Sequence, residues 1–300
     1  MYKGILAAFI AYTLWGILPI YWKFLDRISP DQVLANRIIW SFVFVALIII
    51  GQGRWKEVNP FRLKKDNLLL YLCGIIISFN WFIFIYAVFT NRIVEASLGY
   101  YINPLLTIFL ARIVLKEKLT GLQGVAVALA AAGVAVLTFS HGSLPIISLT
   151  LALTFSVYGL MKKKIQIEAL PGLTLETFIV LPLAIGYLVF LQTKGQLVYP
   201  SLVAWEWILL LGTGVVTAVP LLLFAFSTRI IPLTTVGFIQ YLSPTISLLI
   251  GVFIYKEPFT VHQAIAFSFI WVAIIIYSCT QMKDFSRDKS FKSISKKQIG

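Results

Sequence analysis

Residues 100–123 read YYINPLLTIFLARIVLKEKLTGLQ, and residues 240–263 read QYLSPTISLLIGVFIYKEPFTVHQ. At an offset of 140, Tyr101, Pro104, Lys116, Glu117, Thr120 and Gln123 recur as Tyr241, Pro244, Lys256, Glu257, Thr260 and Gln263. Further upstream, Thr13-Leu-Trp15-Gly16 is echoed by Ser156-Val-Tyr158-Gly159 at an offset of 143. Chance supplies single matches in an apolar chain. Six identities in one register, on a shared hydropathy plan, indicate a duplicated unit.

The solvent of that unit follows from composition. Hydrophobic residues make up 59% of the 300, charged residues 12%, and the mean hydropathy is +0.90; an ordinary soluble chain has about 25% charged residues. No water-soluble core could bury so much apolar surface, so most of the chain belongs in a bilayer. Uncharged runs recur near the ~20 residues that a helix needs to cross the hydrocarbon. Breaking the sequence at its polar clusters predicts spans at 4–22, 33–50, 67–90, 96–115 and 120–139, then at 144–161, 171–193, 203–228, 233–255 and 259–281. The first stretch is too long for a signal-peptide core and is read as a span. Five spans per half is an odd number, so the second half enters the membrane from the opposite face. The expected fold is an all-α integral membrane protein of ten transmembrane helices in two inverted five-helix repeats, 4–139 and 144–281, followed by a basic tail at 282–300.

Charge placement tests this layout. With a cytoplasmic N-terminus, that side holds Lys3, Arg54, Lys56, Arg62, Lys64, Lys65, Lys116, Lys118, Lys162, Lys163, Lys164, Arg229 and six basic residues of the tail, 18 in all. The opposite side holds five, namely Lys23, Arg27, Arg92, Lys194 and Lys256, with Arg37 and Arg112 inside spans. The positive-inside rule therefore puts both termini in the cytoplasm. The same clustering beside anionic headgroups accounts for the net charge of +13 without nucleic acid as a partner.

At this point the residues resemble a known family. Asn36-Arg37-Ile-Ile-Trp40-Ser41, Val94-Glu95-Ala-Ser-Leu-Gly-Tyr100-Tyr101-Ile-Asn103-Pro104, Tyr158-Gly159-Leu, Leu175-Glu176-Thr177 and Gln240-Tyr241-Leu-Ser-Pro244-Thr245 are similar to segments of the RarD proteins, in the EamA-type branch of the drug/metabolite transporter superfamily. The resemblance runs from the first span to about Ser278. It implies a ten-helix carrier of the bacterial inner membrane with two EamA repeats and a central cavity. The expected function is secondary transport of a small organic metabolite or drug-like molecule by alternating access, in the direction of export. The alternative is a channel or facilitator pore.

Spans 4 and 9 hold the most informative polar groups. Pro104 and Pro244 each remove a backbone donor, and Tyr100, Tyr101, Asn103, Gln240, Tyr241 and Ser243 sit beside them, roughly 12 Å into the bilayer. Polar groups at that depth suit a cavity wall, or a helix-packing kink tied by interhelical hydrogen bonds. Trp15, Tyr158, Trp81 and Tyr86 lie within spans and could stack on a planar or cationic substrate; Asn80, Gly16 and Gly159 are assigned to the same wall. Trp22, Trp55, Trp205 and Trp207 fall near span edges and read as an aromatic belt. Replacing Trp15, Asn103 or Tyr241 singly is expected to impair transport without loss of membrane insertion.

Arg37, beside Asn36 in span 2, needs an anionic partner, water or snorkelling room, and serves either as a substrate contact or in an ion pair; Glu176 in the mirrored half is the candidate partner. Glu95 at the start of span 4, next to Arg92, is read as part of an outer gate or as a solvated helix-start carboxylate. Glu117 and Glu257 read as surface charge. No acidic residue falls near the centre of a predicted span, so the usual buried carboxylate of a proton-coupled carrier is not expected. Cys73, Cys279, His141 and His262 lack metal-ligand spacing, so neither a metal nor a cofactor is expected. No nucleophile with a base lies deep in a span, which argues against an enzyme. Span 5 carries small residues at four-residue spacing from Gly124 to Gly133, suited to close packing within the bundle or against a second copy in a homodimer.

Overall fold

The computed structural model describes residues 1–58, 65–89, 93–140, 146–256 and 259–298; within them, the side chains of 65, 85, 88, 89, 93–97 and 281–298 are not described. The described residues form α1 (Tyr2–Lys23), α2 (Pro30–Gly51), α3 (Lys65–Phe89), α4 (Ile93–Val114), α5 (Gly121–Ser140), α6 (Ile146–Lys164), α7 (Ala169–Thr193), α8 (Ala204–Ile230), α9 (Leu233–Gln240), α10 (Leu242–Leu249) and α11 (Val261–Gln298). Among them, nine helical stretches are long and apolar enough to cross a bilayer, with α9 and α10 counted as one, and Leu98–Val114 of α4 is a further apolar helix. Large apolar side chains such as Leu6, Leu47, Ile208 and Ile275 are exposed on the outer faces, where lipid satisfies them. This is a multi-span membrane protein.

Local chemistry sets the helix ends. Pro30 opens α2, where its missing N–H costs nothing, and Asp31 in the first turn suits the positive end of the helix dipole. At α5 the Thr120 amide donates to Gln123 Oε1 (3.0 Å) and the Gln123 amide to Thr120 Oγ1 (3.4 Å). Thr260 and Gln263 make the same reciprocal box at α11, at 2.8 and 3.3 Å. The turns before these boxes match as well, because Lys116 and Lys256 both adopt left-handed backbone, with φ of 56° and 57°. The repeated identities of the sequence thus mark a recurring helix–turn–helix device.

Glu117 does more than the expected surface charge. Its Oε1 and Oε2 accept from the amides of Leu233 and Thr234, each at 2.8 Å, capping α9 from another part of the chain. Replacing Glu117 by alanine orphans both amides and is expected to cost about 0.5–2 kcal/mol, read as a lower unfolding temperature in detergent. Glu257 lies outside the described residues.

The two prolines act differently. Pro244 cannot donate to Gln240, and the helix breaks at Tyr241 between α9 and α10. α4 runs on through Pro104, and nothing in the structure explains the difference.

Helix contacts exchange between the two halves. α1 packs on α8 as α6 packs on α3, α2 on α8 as α7 on α3, and α1 on α9 and α10 as α6 on α4; α2 meets α7, α4 meets α9 and α5 meets α11. Glycines make the tightest crossings. A Cβ at Gly214 would lie 2.3 Å from the Trp40 backbone, and one at Gly74, 140 residues earlier, would lie 2.5 Å from the Glu176 carbonyl. At Gly133 it would lie 2.6 Å from the carbonyl of Ala266, which is how the small-residue span α5 packs on α11.

Outside the spans, Arg54 ties the turn after α2 to Glu57 and Glu168, each at 2.6 Å. The hydrogen bond from Arg54 holds the Glu57 carboxyl below its ordinary value of 4.5. This tie is therefore present above that value and is lost as pH falls through the lowered one; it should also weaken with added salt. Limited proteolysis of the loop at graded pH and ionic strength checks both.

Candidate functional site

The interior is built around three groups of side chains. The first is aromatic. Trp15 of α1 meets Tyr12, Phe155 and Phe224 at ring centroid distances of 5.2, 5.7 and 5.8 Å, and Tyr158 stacks on Phe224 at 5.8 Å. Gly159 makes room for this cluster, since a Cβ there would touch the Phe224 ring at 3.3 Å. Phe155 and Phe224 carry no sequence signal beyond their hydrophobicity, and only the fold brings them to Trp15.

The second group is polar and runs along α4 and α6. Asn103 Oδ1 accepts from Ser156 Oγ (3.0 Å) and from Thr107 Oγ1 (3.2 Å). Asn80 Nδ2 donates to the Leu151 carbonyl and to Thr154 Oγ1, both at 2.8 Å. Tyr101 donates to the Pro244 carbonyl at 3.1 Å. Apart from the Thr107–Asn103 bond within α4, these are interhelical ties, and all of them satisfy polar groups where lipid cannot.

The third group is charged. Lys162 Nζ lies 2.5 Å from Glu176 Oε1, and Tyr158 donates to Glu176 Oε2 at 3.1 Å; both members of the ion pair are buried. The expected pairing of Arg37 with Glu176 is not made, because the start of α7 delivers Glu176 to the end of α6 instead. Lys162 is likewise not the loop charge that its Lys-Lys-Lys run suggests. The available signal was its spacing of four from Tyr158, which places both on one helix face.

Arg37 has other company. Its Nε donates to Thr217 Oγ1 at 3.0 Å, and its guanidinium carbon lies 4.8 Å from the Trp22 ring centre and 4.7 Å from that of Trp81. Trp22 therefore belongs to the interior and not to the aromatic belt that its position at the end of a span had indicated. Tyr100 packs on Phe84 at 6.0 Å.

The wall expected from the sequence divides in two. Gly16, Asn80, Asn103, Pro104, Tyr158, Gly159, Gln240, Tyr241 and Pro244 are buried among the packed helices. Trp15, Trp81, Tyr86, Tyr100, Tyr101 and Ser243 keep accessible surface. Among the described residues, the buried hydroxyls of Tyr12 and Tyr241 have no hydrogen-bond partner. The Glu95 side chain, read as a gate, lies outside the described residues.

Fold and interior together define a multi-pass membrane protein with a partly polar, aromatic centre. Its sequence matches the model of the EamA-like transporter family twice, at residues 2–139 and 144–279, and the chain belongs to that family. It is 44% identical to the uncharacterized transporter YojE of Bacillus subtilis, over 94% of this chain and 95% of that protein. It is 38% identical to protein RarD of Escherichia coli, over 92% and 93%. A relative from Pseudomonas aeruginosa, 30% identical over 91% and 93%, bears the name chloramphenicol-sensitive protein RarD. One solved crystal structure matches with a TM-score of 0.69 at 18% identity, over 91% of this chain and 96% of the other, a likeness of fold alone.

Proposed function

We propose that this protein is a secondary transporter that carries a small organic molecule across the bacterial inner membrane by alternating access, outward from the cytoplasm. The observation that carries the reading is the exchange of helix contacts between the two halves, which is what two oppositely oriented five-helix repeats produce. The equal turns at Lys116 and Lys256 and the equal caps of α5 and α11 support the same reading. So does the family model's division of the chain at residues 139 and 144. Such a pair of halves can rock about a fixed central site, exposing it to one side and then the other. The distribution of basic residues supports cytoplasmic termini.

Flux in proteoliposomes tests this. The expected result is saturable counterflow of at least one labelled solute from a panel of organic acids, amines and neutral compounds. Chloramphenicol belongs in the panel because one relative's name carries it. Release should be faster from the side that corresponds to the cytoplasm. Failure of every solute to exceed empty liposomes would contradict transport, and unsaturable flux would contradict alternating access.

A further inference from the structure

Arg37 narrows the chemistry of the cargo. It is the eighth residue of α2, about 10 Å along the helix from its start, and side chains from α1, α3 and α8 converge on it. Nε is taken by Thr217. The two Nη groups, which carry the remaining donors, make no hydrogen bond to a described residue, and Arg37 is only partly buried. The residue therefore keeps accessible surface within the helix bundle.

The protein offers this cation no anion among the described residues. Glu176 is held by Lys162 and Tyr158, and Glu206 by Arg27 and the Val203 amide. Asn36, the neighbouring polar group, is also occupied: it donates to the Gln32 carbonyl and accepts from Trp40 and Tyr199. An arginine within a transmembrane helix is costly without an anion or water. Here the indoles of Trp22 and Trp81 shield it and Thr217 fixes its orientation, while the Nη edge, the part that grips planar oxyanions with two parallel hydrogen bonds, makes no hydrogen bond to a described residue.

We propose that the transported molecule is an organic anion and that Arg37 holds its carboxylate. This rests on the transporter reading and deepens it. The aromatic surfaces of Trp22 and Trp81 flank the site and suit a carboxylate borne on an apolar or aromatic body.

The test compares acids with their amides. Benzoate, phenylacetate and indole-3-acetate, each beside its neutral amide and beside phenyl phosphate, are titrated into the wild-type protein in nanodiscs. Quenching of tryptophan fluorescence and the shift in unfolding temperature are recorded. At least one carboxylate is expected to bind about tenfold or more tightly than its amide. Arg37→Gln should abolish that preference, and Arg37→Lys, which keeps the charge but loses the fork, should weaken it. Equal binding of acid and amide, binding of phenyl phosphate alone, or no binding of any of the three acids would overturn the proposal. If Arg37→Gln fails to fold, the wild-type comparison and Arg37→Lys still decide. Saturable flux confined to neutral or cationic solutes would sink the anion assignment and leave transport standing, whereas absence of all flux would sink the transporter reading itself.

Discussion

Replacing Glu176 by leucine alone is expected to cost about 3–5 kcal/mol of stability, because it strands Lys162 as a buried charge with no partner. Both side chains are almost wholly enclosed, at 5% exposure for Lys162 and 2% for Glu176, and they meet at 2.5 Å. The same loss is expected for Lys162→Met, which strands the carboxylate with only the Tyr158 hydroxyl beside it. The double variant Lys162→Met, Glu176→Leu should recover most of the loss, since an apolar pair of similar volume removes both desolvation costs together. Unfolding temperatures of the four proteins in one detergent close the cycle. Additive losses in the double variant would mean that the two groups do not act as a pair.

The second large effect belongs to the glycine crossings. Gly214→Val places a side chain 2.3 Å from the carbonyl carbon and oxygen of Trp40, and Gly74→Val places one 2.5 Å from the carbonyl of Glu176. Backbone cannot step aside as a flexible side chain can, so each variant should lie at or above the upper end of the ~1–3 kcal/mol typical of overpacking. Separation of α2 from α8 also breaks the bond from Ser41 to the Gly214 carbonyl. Gly186→Ala is the control: among the described residues nothing lies within 4 Å of its Cβ position in α7, and removing a mid-helix glycine should be neutral or stabilise by about 0.5–1 kcal/mol. Equal behaviour of Gly214→Val and Gly186→Ala would show that the crossing is not tight in solution.

Much of the fold was legible in the sequence because bilayer thickness imposes a length on every span and because a duplicated chain repeats its own punctuation. Thr120 with Gln123 and Thr260 with Gln263 could be matched by spacing, and both pairs are helix caps. The interior was less legible. Lys162 sits in a run of three lysines that reads as loop charge, and only three-dimensional packing sets it against Glu176. Glu117 looks like surface charge until the chain returns 116 residues later with two free amides. Trp22 stands at a helix end, where tryptophan usually marks the membrane surface, and nothing local to it announces Arg37. Tyr158 and Tyr241 are both fully buried, and polarity at depth serves helix packing as well as a cavity wall. Hydropathy records how deep a group lies and says little about which way it faces.

The inverted arrangement of the halves is the claim on which the rest depends, and the two left-handed turns give it a direct test. In a chain with Cys73→Ala and Cys279→Ser, single cysteines at Lys116 and Lys256 are probed with a membrane-impermeant maleimide in right-side-out and inside-out vesicles. The Lys116 position is expected to label from the cytoplasmic side and the Lys256 position from the opposite side. Labelling of both positions from one side would contradict the inverted arrangement.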